Sequence, residues 1–190
     1  MSETGGEFGN GFDQNRKEWA DALKPKLRGL LAEHYDVQRR CVVSAENTVD
    51  GEYDSSSLDA IQLMDYAGVD WVVQTDDMIL TVGERVRKSG GSFTLRSDNA
   101  NSKPCERDLL PAAVRNGGLY PNHFLFVRRN GFSYERAYLL DTEKMVRGIE
   151  SEDIPLVASG RNDDGTAWEA YDLPDIVLQG CVINSWVKDE

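Results

Sequence analysis

The stretch from Gly68 to Asp98, "GVDWVVQTDDMILTVGERVRKSGGSFTLRSD", constrains this chain more than any other. Apolar and β-branched runs, "VDWVVQ", "MILTVGERVR" and "FTLRS", alternate with the turn-forming segments "TDD" and "KSGGS". Period-two runs separated by Asp and Gly clusters are the pattern of antiparallel strands, so the sequence predicts a three-strand meander. Side chains alternate faces along a strand, so the register of the first hairpin decides which of its charged residues meet.

The flanking segments change period. Trp19, Leu23, Leu27, Leu30, Leu31 and Tyr35 recur at three- and four-residue spacing between Arg16 and Tyr35, the stripe of an amphipathic helix, although Pro25 and Gly29 weaken it. "RCVVS" is a short β-prone run, Ala45 to Ser57 reads as a loop, and "SLDAIQLMDYA" predicts a brief helix with Ser57 as N-cap. After the meander, "CERDLLPAAVRN" predicts a helix ending at Gly117 and Gly118, with Pro111 a potential kink. "NHFLFVRR" and "YERAYLLD" form two strands around an Asn130-Gly131 turn, and "TEKMVRGI" is a helix after Asp141. "GRNDDGTAWEAYDL" is a turn leading into a strand, and "GCVINSWV" a final strand or a docking segment. Helix, meander, helix and strands make an α+β pattern rather than strict βαβ alternation. The expected organisation is a flexible, Gly-rich lead-in over 1–15 and a single domain over 16–190.

Composition narrows the function classes. No apolar run in the 190 residues approaches the ~20 needed to cross a bilayer, and "MSETGGEFGNGFDQN" lacks the basic and apolar regions of a signal peptide. Cys41, Cys105 and Cys181 are odd in number and have no histidines at ligand spacing, which argues against a disulfide framework and a zinc site. A reducing cytoplasm is the expected location. The net charge of -12, rich in Asp and with more Arg than Lys, suggests a salt-adapted protein, the plainer alternative being an ordinary acidic cytosolic one. Acidity also counts against general nucleic-acid binding, so any such binding needs a concentrated basic patch.

The meander holds such a patch. Arg85, Arg87, Lys88 and Arg96 gather positive charge within it and favour a phosphate-bearing ligand. If "TDD" is the loop, Asp70 lies opposite Val82 and shares a face with Glu84, one diagonal step away. Mg²⁺ prefers one or two carboxylates and keeps several waters, so this pair suits it. If the register slips by one, Asp70 instead faces Gly83, Arg85 and Arg87, and no second acid joins it. The bland alternative is a solvated face on which these acids and arginines pair with one another.

At "GVD" and "VGERVR" the sequence resembles the PD-(D/E)XK nuclease-like superfamily, over roughly Asp59 to Asp141. The resemblance implies a restriction-endonuclease-like fold, with a helix, a meander carrying an Asp and then a (D/E)xK element, a helix and further strands in a mixed sheet. It also implies a metal-dependent nuclease using Mg²⁺ or Mn²⁺ on DNA. Asp70 and Glu84 would be the metal ligands, assisted by Asp65 or Glu106. Arg85 would join them in catalysis, and Arg87, Lys88 and Arg96 would hold the substrate. The departure is Val86, which stands where the family has its lysine, and arginine is a poor general base. A catalytically inactive nuclease-fold protein that binds nucleic acid or a protein partner is the first alternative, and an interaction protein of a salt-adapted microbe or its virus the second. The expected partners are DNA and, as an oligomer, a second copy of the chain, with no membrane.

Other motifs are weaker. His34 and His123 read as packed or hydrogen-bonded residues rather than ligands, no G-x-S-x-G elbow is present, and "GGEFGNG" follows no strand. The four tryptophans read as core or interface anchors.

Overall fold

The computed structural model describes residues 8–45, 67–88, 90–98, 105–162 and 165–188. Residues 57–66 of the expected short helix, Asp65 among them, lie outside these. In chain order the elements are α1 (Phe8–His34), a 3₁₀ turn (Arg39–Cys41), β1 (Val42–Ser44), β2 (Trp71–Gln74), β3 (Ile79–Arg87), β4 (Ser92–Asp98) and α2 (Glu106–Asn116). There follow β5 (His123–Asn130), β6 (Ser133–Asp141), α3 (Thr142–Glu150), β7 (Leu156–Arg161), β8 (Ala167–Asp172), α4 (Leu173–Leu178) and β9 (Val182–Val187). The class is α+β, as the sequence predicts. The first turns of α1 fall within 1–15, so the helix begins earlier than its apolar stripe does.

The larger sheet has the order β1-β2-β3-β5-β6-β9, antiparallel throughout except for the parallel pair β3 and β5. The smaller sheet has the order β4-β8-β7. This corrects the expected meander. β2 and β3 form the hairpin, but β4 leaves to pair with β8, and β1 completes the antiparallel trio from the other side.

The burial pattern gives the physical reason. "HFLFV" in β5 is apolar at consecutive positions, which suits a central strand covered on both faces. Phe124 and Phe126 enter one core, Leu125 and Val127 the other. β4 instead alternates, with Phe93 and Leu95 buried between less buried residues, and suits a sheet with one covered face.

The two cores define three layers. On one face of the large sheet, Leu23, Leu27, Leu30 and Leu31 of α1 pack on Trp71, Val73, Val82, Leu125 and Leu139. On the other, Leu110 of α2 and Met145, Val146 and Ile149 of α3 join Phe93, Leu95 and Tyr171 of the small sheet around Phe124 and Phe126. The helix ends follow their local signals. Gly117 closes α2 in the left-handed region (φ 69°), Pro111 sits inside that helix without ending it, and Asp141 Oδ1 accepts the Lys144 N–H at 3.0 Å to cap α3. All three cysteines are free thiols. Among the described residues, no helix is long and apolar enough to cross a membrane. Among the described residues β7 has β8 as its one neighbour in the sheet, and its Leu156 and Val157 are exposed.

Gly83 on β3 marks a close approach. A Cβ there would clash with the edge of the Phe124 ring and lie 2.8 Å from the Gly68 carbonyl oxygen. Backbone cannot yield as a flexible side chain can. Gly83→Ala is therefore expected to cost at least ~2 kcal/mol, read as a lower urea midpoint at unchanged m. Gly91→Ala, whose Cβ would meet open space, is the near-neutral control.

Candidate functional site

The tip of the first hairpin sets the register. Thr75 N–H donates to the Met78 carbonyl at 2.9 Å, and Gln74 pairs with Ile79, so Asp76 and Asp77 form a two-residue tip. Trp71 then stands opposite Val82. The expectation that placed Asp70 opposite Val82 took "TDD" as the loop. The shorter tip moves the ladder by one residue, onto the register that aligns Asp70 with Gly83.

The chain nevertheless brings the two acids together, through a bulge. Asp70 N–H donates to the Val82 carbonyl at 2.9 Å, so Asp70 and Trp71 both stand against Val82. A bulge of this kind bends the strand and re-aims the side chain. Asp70 Oδ2 accepts the Glu84 backbone N–H at 2.5 Å, taking the place of a ladder carbonyl.

Lys24, Ser44, Asp70, Trp71 and Glu84 line one cavity of about 30 Å³, room for a water molecule or two. Two of the three layers contribute to it: Lys24 from α1, and, from the large sheet, Ser44 of β1, Asp70 just before β2, Trp71 of β2 and Glu84 of β3. Glu84 Oε2 accepts the Trp71 indole N–H at 2.8 Å. Burial pushes the Glu84 carboxyl up to about 7. Asp70 adds to the rise, while the Trp71 hydrogen bond, Lys24 and Arg85 oppose it.

Arg85 follows Glu84 in sequence and faces the opposite layer. Its guanidinium lies over the Phe124 ring, 5.1 Å from the centroid, and forms an ion pair with Glu106 Oε1 at the start of α2. It donates to its neighbour's carbonyl, Glu84 O, at 2.7 Å and comes within 3.9 Å of Asp70 Oδ2. Glu106 Oε2 accepts the Arg96 backbone N–H at 2.9 Å. Both Glu106 oxygens are thus engaged on the α2 side, and the cavity is lined without it. This corrects its expected place beside Asp70 and Glu84. Arg87 donates to Thr94 Oγ1 of β4, tying the two sheets together, whereas Lys88 and Arg96 are exposed.

Lys24 is the residue that sequence reasoning missed. It sits beside Leu23 and Leu27, so it reads as the flank of an apolar stripe, and only the packing of α1 on β2 and β3 turns it toward the acids. The histidines are packed and hydrogen-bonded, as expected. His123 stacks on Tyr35 and bonds to its hydroxyl, and His34 Nδ1 meets Asn184 Nδ2 at 3.2 Å.

Among the described residues no three His, Cys, Asp or Glu side chains gather as a metal site. The donor set is therefore Asp70 and Glu84, with a half-exposed carboxylate at Asp70 and a half-buried side chain at Glu84. This fits Mg²⁺, which takes one or two carboxylates and keeps waters, and a cation there would offset the Asp70 repulsion that adds to the burial-driven rise of Glu84. No protein-family model matches the chain, and neither a curated protein nor a solved structure is significantly similar to it.

The raised Glu84 value carries a sign. A carboxyl whose folded value exceeds its unfolded one contributes stability that is complete below about 4.5 and lost as pH rises through about 7. Glu84→Gln keeps an acceptor for Trp71 and removes the titration. Between about pH 5 and pH 8 the wild type is expected to lose on the order of 2 kcal/mol relative to Glu84→Gln, measured by urea unfolding. His34 and His123, both lowered mainly by burial, shift stability the opposite way, but equally in both proteins.

Proposed function

We propose that this chain is a metal-dependent nuclease-like protein acting on DNA phosphodiesters, with its site at the cavity of Asp70, Glu84 and Lys24. The observation that carries the reading is that cavity: two carboxylates and an amine converge on it from three elements. The order of parts supports it too. A helix, an antiparallel meander whose second and third strands bring the acids, a helix, and then a strand parallel to β3 is the succession implied by a restriction-endonuclease-like fold.

Held by Asp70 and Glu84, Mg²⁺ or Mn²⁺ would supply Lewis-acid polarisation of the phosphodiester. Lys24 faces the same cavity as Glu84. It would place there the positive charge that the family draws from a lysine on the acid's own strand, and it would stabilise charge developing on the phosphate. Arg85 acts as a positioning residue, braced by Glu106 and Phe124 while it approaches Asp70. Arg87 and Lys88 continue β3 beyond Glu84, and Arg96 lies on β4. Together they would draw phosphate toward this end of the sheet.

One observation favours a second reading, a nuclease-fold protein that binds without cleaving. Asp70 holds the Glu84 N–H and Glu84 holds the Trp71 indole, so both acids already have structural bonds. Cleavage of labelled single- and double-stranded DNA with Mg²⁺ or Mn²⁺ over a KCl series separates the two. The nuclease reading expects cleavage by the wild type and a loss of ~10²-fold or more in each of Asp70→Asn, Glu84→Gln and Lys24→Ala, all checked for folding. Absence of cleavage under every metal and salt condition would move the protein to the binding reading.

A further inference from the structure

Among the described residues, six arginines are accounted for by carboxylates. Arg85, Arg107, Arg115, Arg128, Arg147 and Arg161 each form an ion pair, as 33 acids against 21 Lys and Arg would lead one to expect. Outside those pairs lies a group of cations on α1 and the 3₁₀ turn. Residues 24–40 contain Lys24, Lys26, Arg28, Arg39 and Arg40 against Glu33 and Asp36 alone. Among the described residues, no ion pair involves Arg28, Arg39 or Arg40.

The packing brings Arg39 back onto the helix beside Arg28. The Arg39 guanidinium lies against α1 at Gly29, where an added Cβ would come within 3.2 Å of its Nη2, so the glycine makes room for an arginine folded back onto the helix. Arg28 precedes that glycine, and its enclosed Nε has no hydrogen-bond partner among the described residues. Lys24 and Arg28 are one turn apart, about 6 Å along the helix axis. Arg39 and Arg40 are exposed. Arg28, Arg39 and Arg40, like charges with no ion pair among the described residues, repel one another unless an external anion accompanies them.

The strip also starts at the cavity, because Lys24 belongs to both. We infer that Arg28, Arg39 and Arg40 form a track for the phosphate backbone of DNA, leading along α1 to the Asp70–Glu84 cavity. This inference rests on the nuclease-like reading for its choice of DNA. It adds a phosphate contact on α1 to that of Arg87, Lys88 and Arg96, whereas Arg85 is already paired with Glu106. The contacts are to the backbone, so the track carries no base sequence preference.

Fluorescence anisotropy with labelled duplex and single-stranded DNA, in EDTA and over a KCl series, tests it. Arg39→Ala/Arg40→Ala is expected to weaken binding by roughly tenfold or more and to lower the salt slope by about 2, one for each phosphate no longer neutralised. Arg39→Lys/Arg40→Lys is expected to restore most of the affinity, which a merely structural role would not predict. Unchanged affinity and slope in the double alanine variant would overturn the track. So would absence of DNA binding by the wild type at low salt, or arginine-dependent binding to phosphatidylserine vesicles but not to DNA. Track-dependent binding without cleavage by the wild type would retain the track and retire the nuclease chemistry. Cleavage indifferent to the arginines would do the reverse.

Discussion

A strand with apolar side chains on both faces has to be covered twice, and β5 is that strand here. Phe124 and Phe126 demand one layer and Leu125 and Val127 another, so α1 is committed to one side of the sheet, and α2, α3 and the small sheet to the other. β3 runs parallel beside β5 and inherits the same two environments. Glu84 and Arg85, adjacent in sequence, are thereby sent to different layers. The acid meets Lys24 and Trp71, and the arginine meets Glu106 and Phe124.

The site depends on a local departure from that regular sheet. An uninterrupted ladder would have put Asp70 over Gly83, on the face away from Glu84. The bulge at Val82 turns the aspartate back, and its carboxylate ends the hairpin by accepting the Glu84 N–H. The tight backbone at Gly83 fixes the same place from the other side, since neither Phe124 nor Gly68 leaves room for a side chain. The acids are thus positioned by main-chain geometry, which varies less than long side chains do.

Much of the fold was legible because its elements announce themselves locally. The leucine stripe of α1, the glycine after α2, the apolar run of β5 and the turn before β6 each fix one element by short-range chemistry. Partner choice was less legible. Nothing within "FTLRS" says that β4 joins β8 rather than β3, because that pairing is decided by how β5 fills the edge of β3. α4 and β7 went unread, being short and lacking strong turn or period signals. For the candidate site, Asp70 and Glu84 were legible as acids on neighbouring strands, but their meeting was not, since a bulge leaves no composition of its own. Lys24 was invisible for a different reason: only tertiary packing joins a helix residue to a hairpin that begins more than forty residues later.

The outer edge of β7 gives the acidity of this chain a further physical meaning. A strand that, among the described residues, has a neighbour on one side only and carries exposed Leu156 and Val157 is a template for strand-to-strand addition of a second copy. A net charge of -12 opposes that approach over about one Debye length, ~10 Å at 0.1 M salt and ~3 Å at 1 M. Ionic strength therefore acts on this protein in two opposing ways. Salt relieves the self-repulsion of the folded chain, and it also lowers the barrier that keeps one β7 edge from finding another, so colloidal stability and conformational stability have separate salt optima.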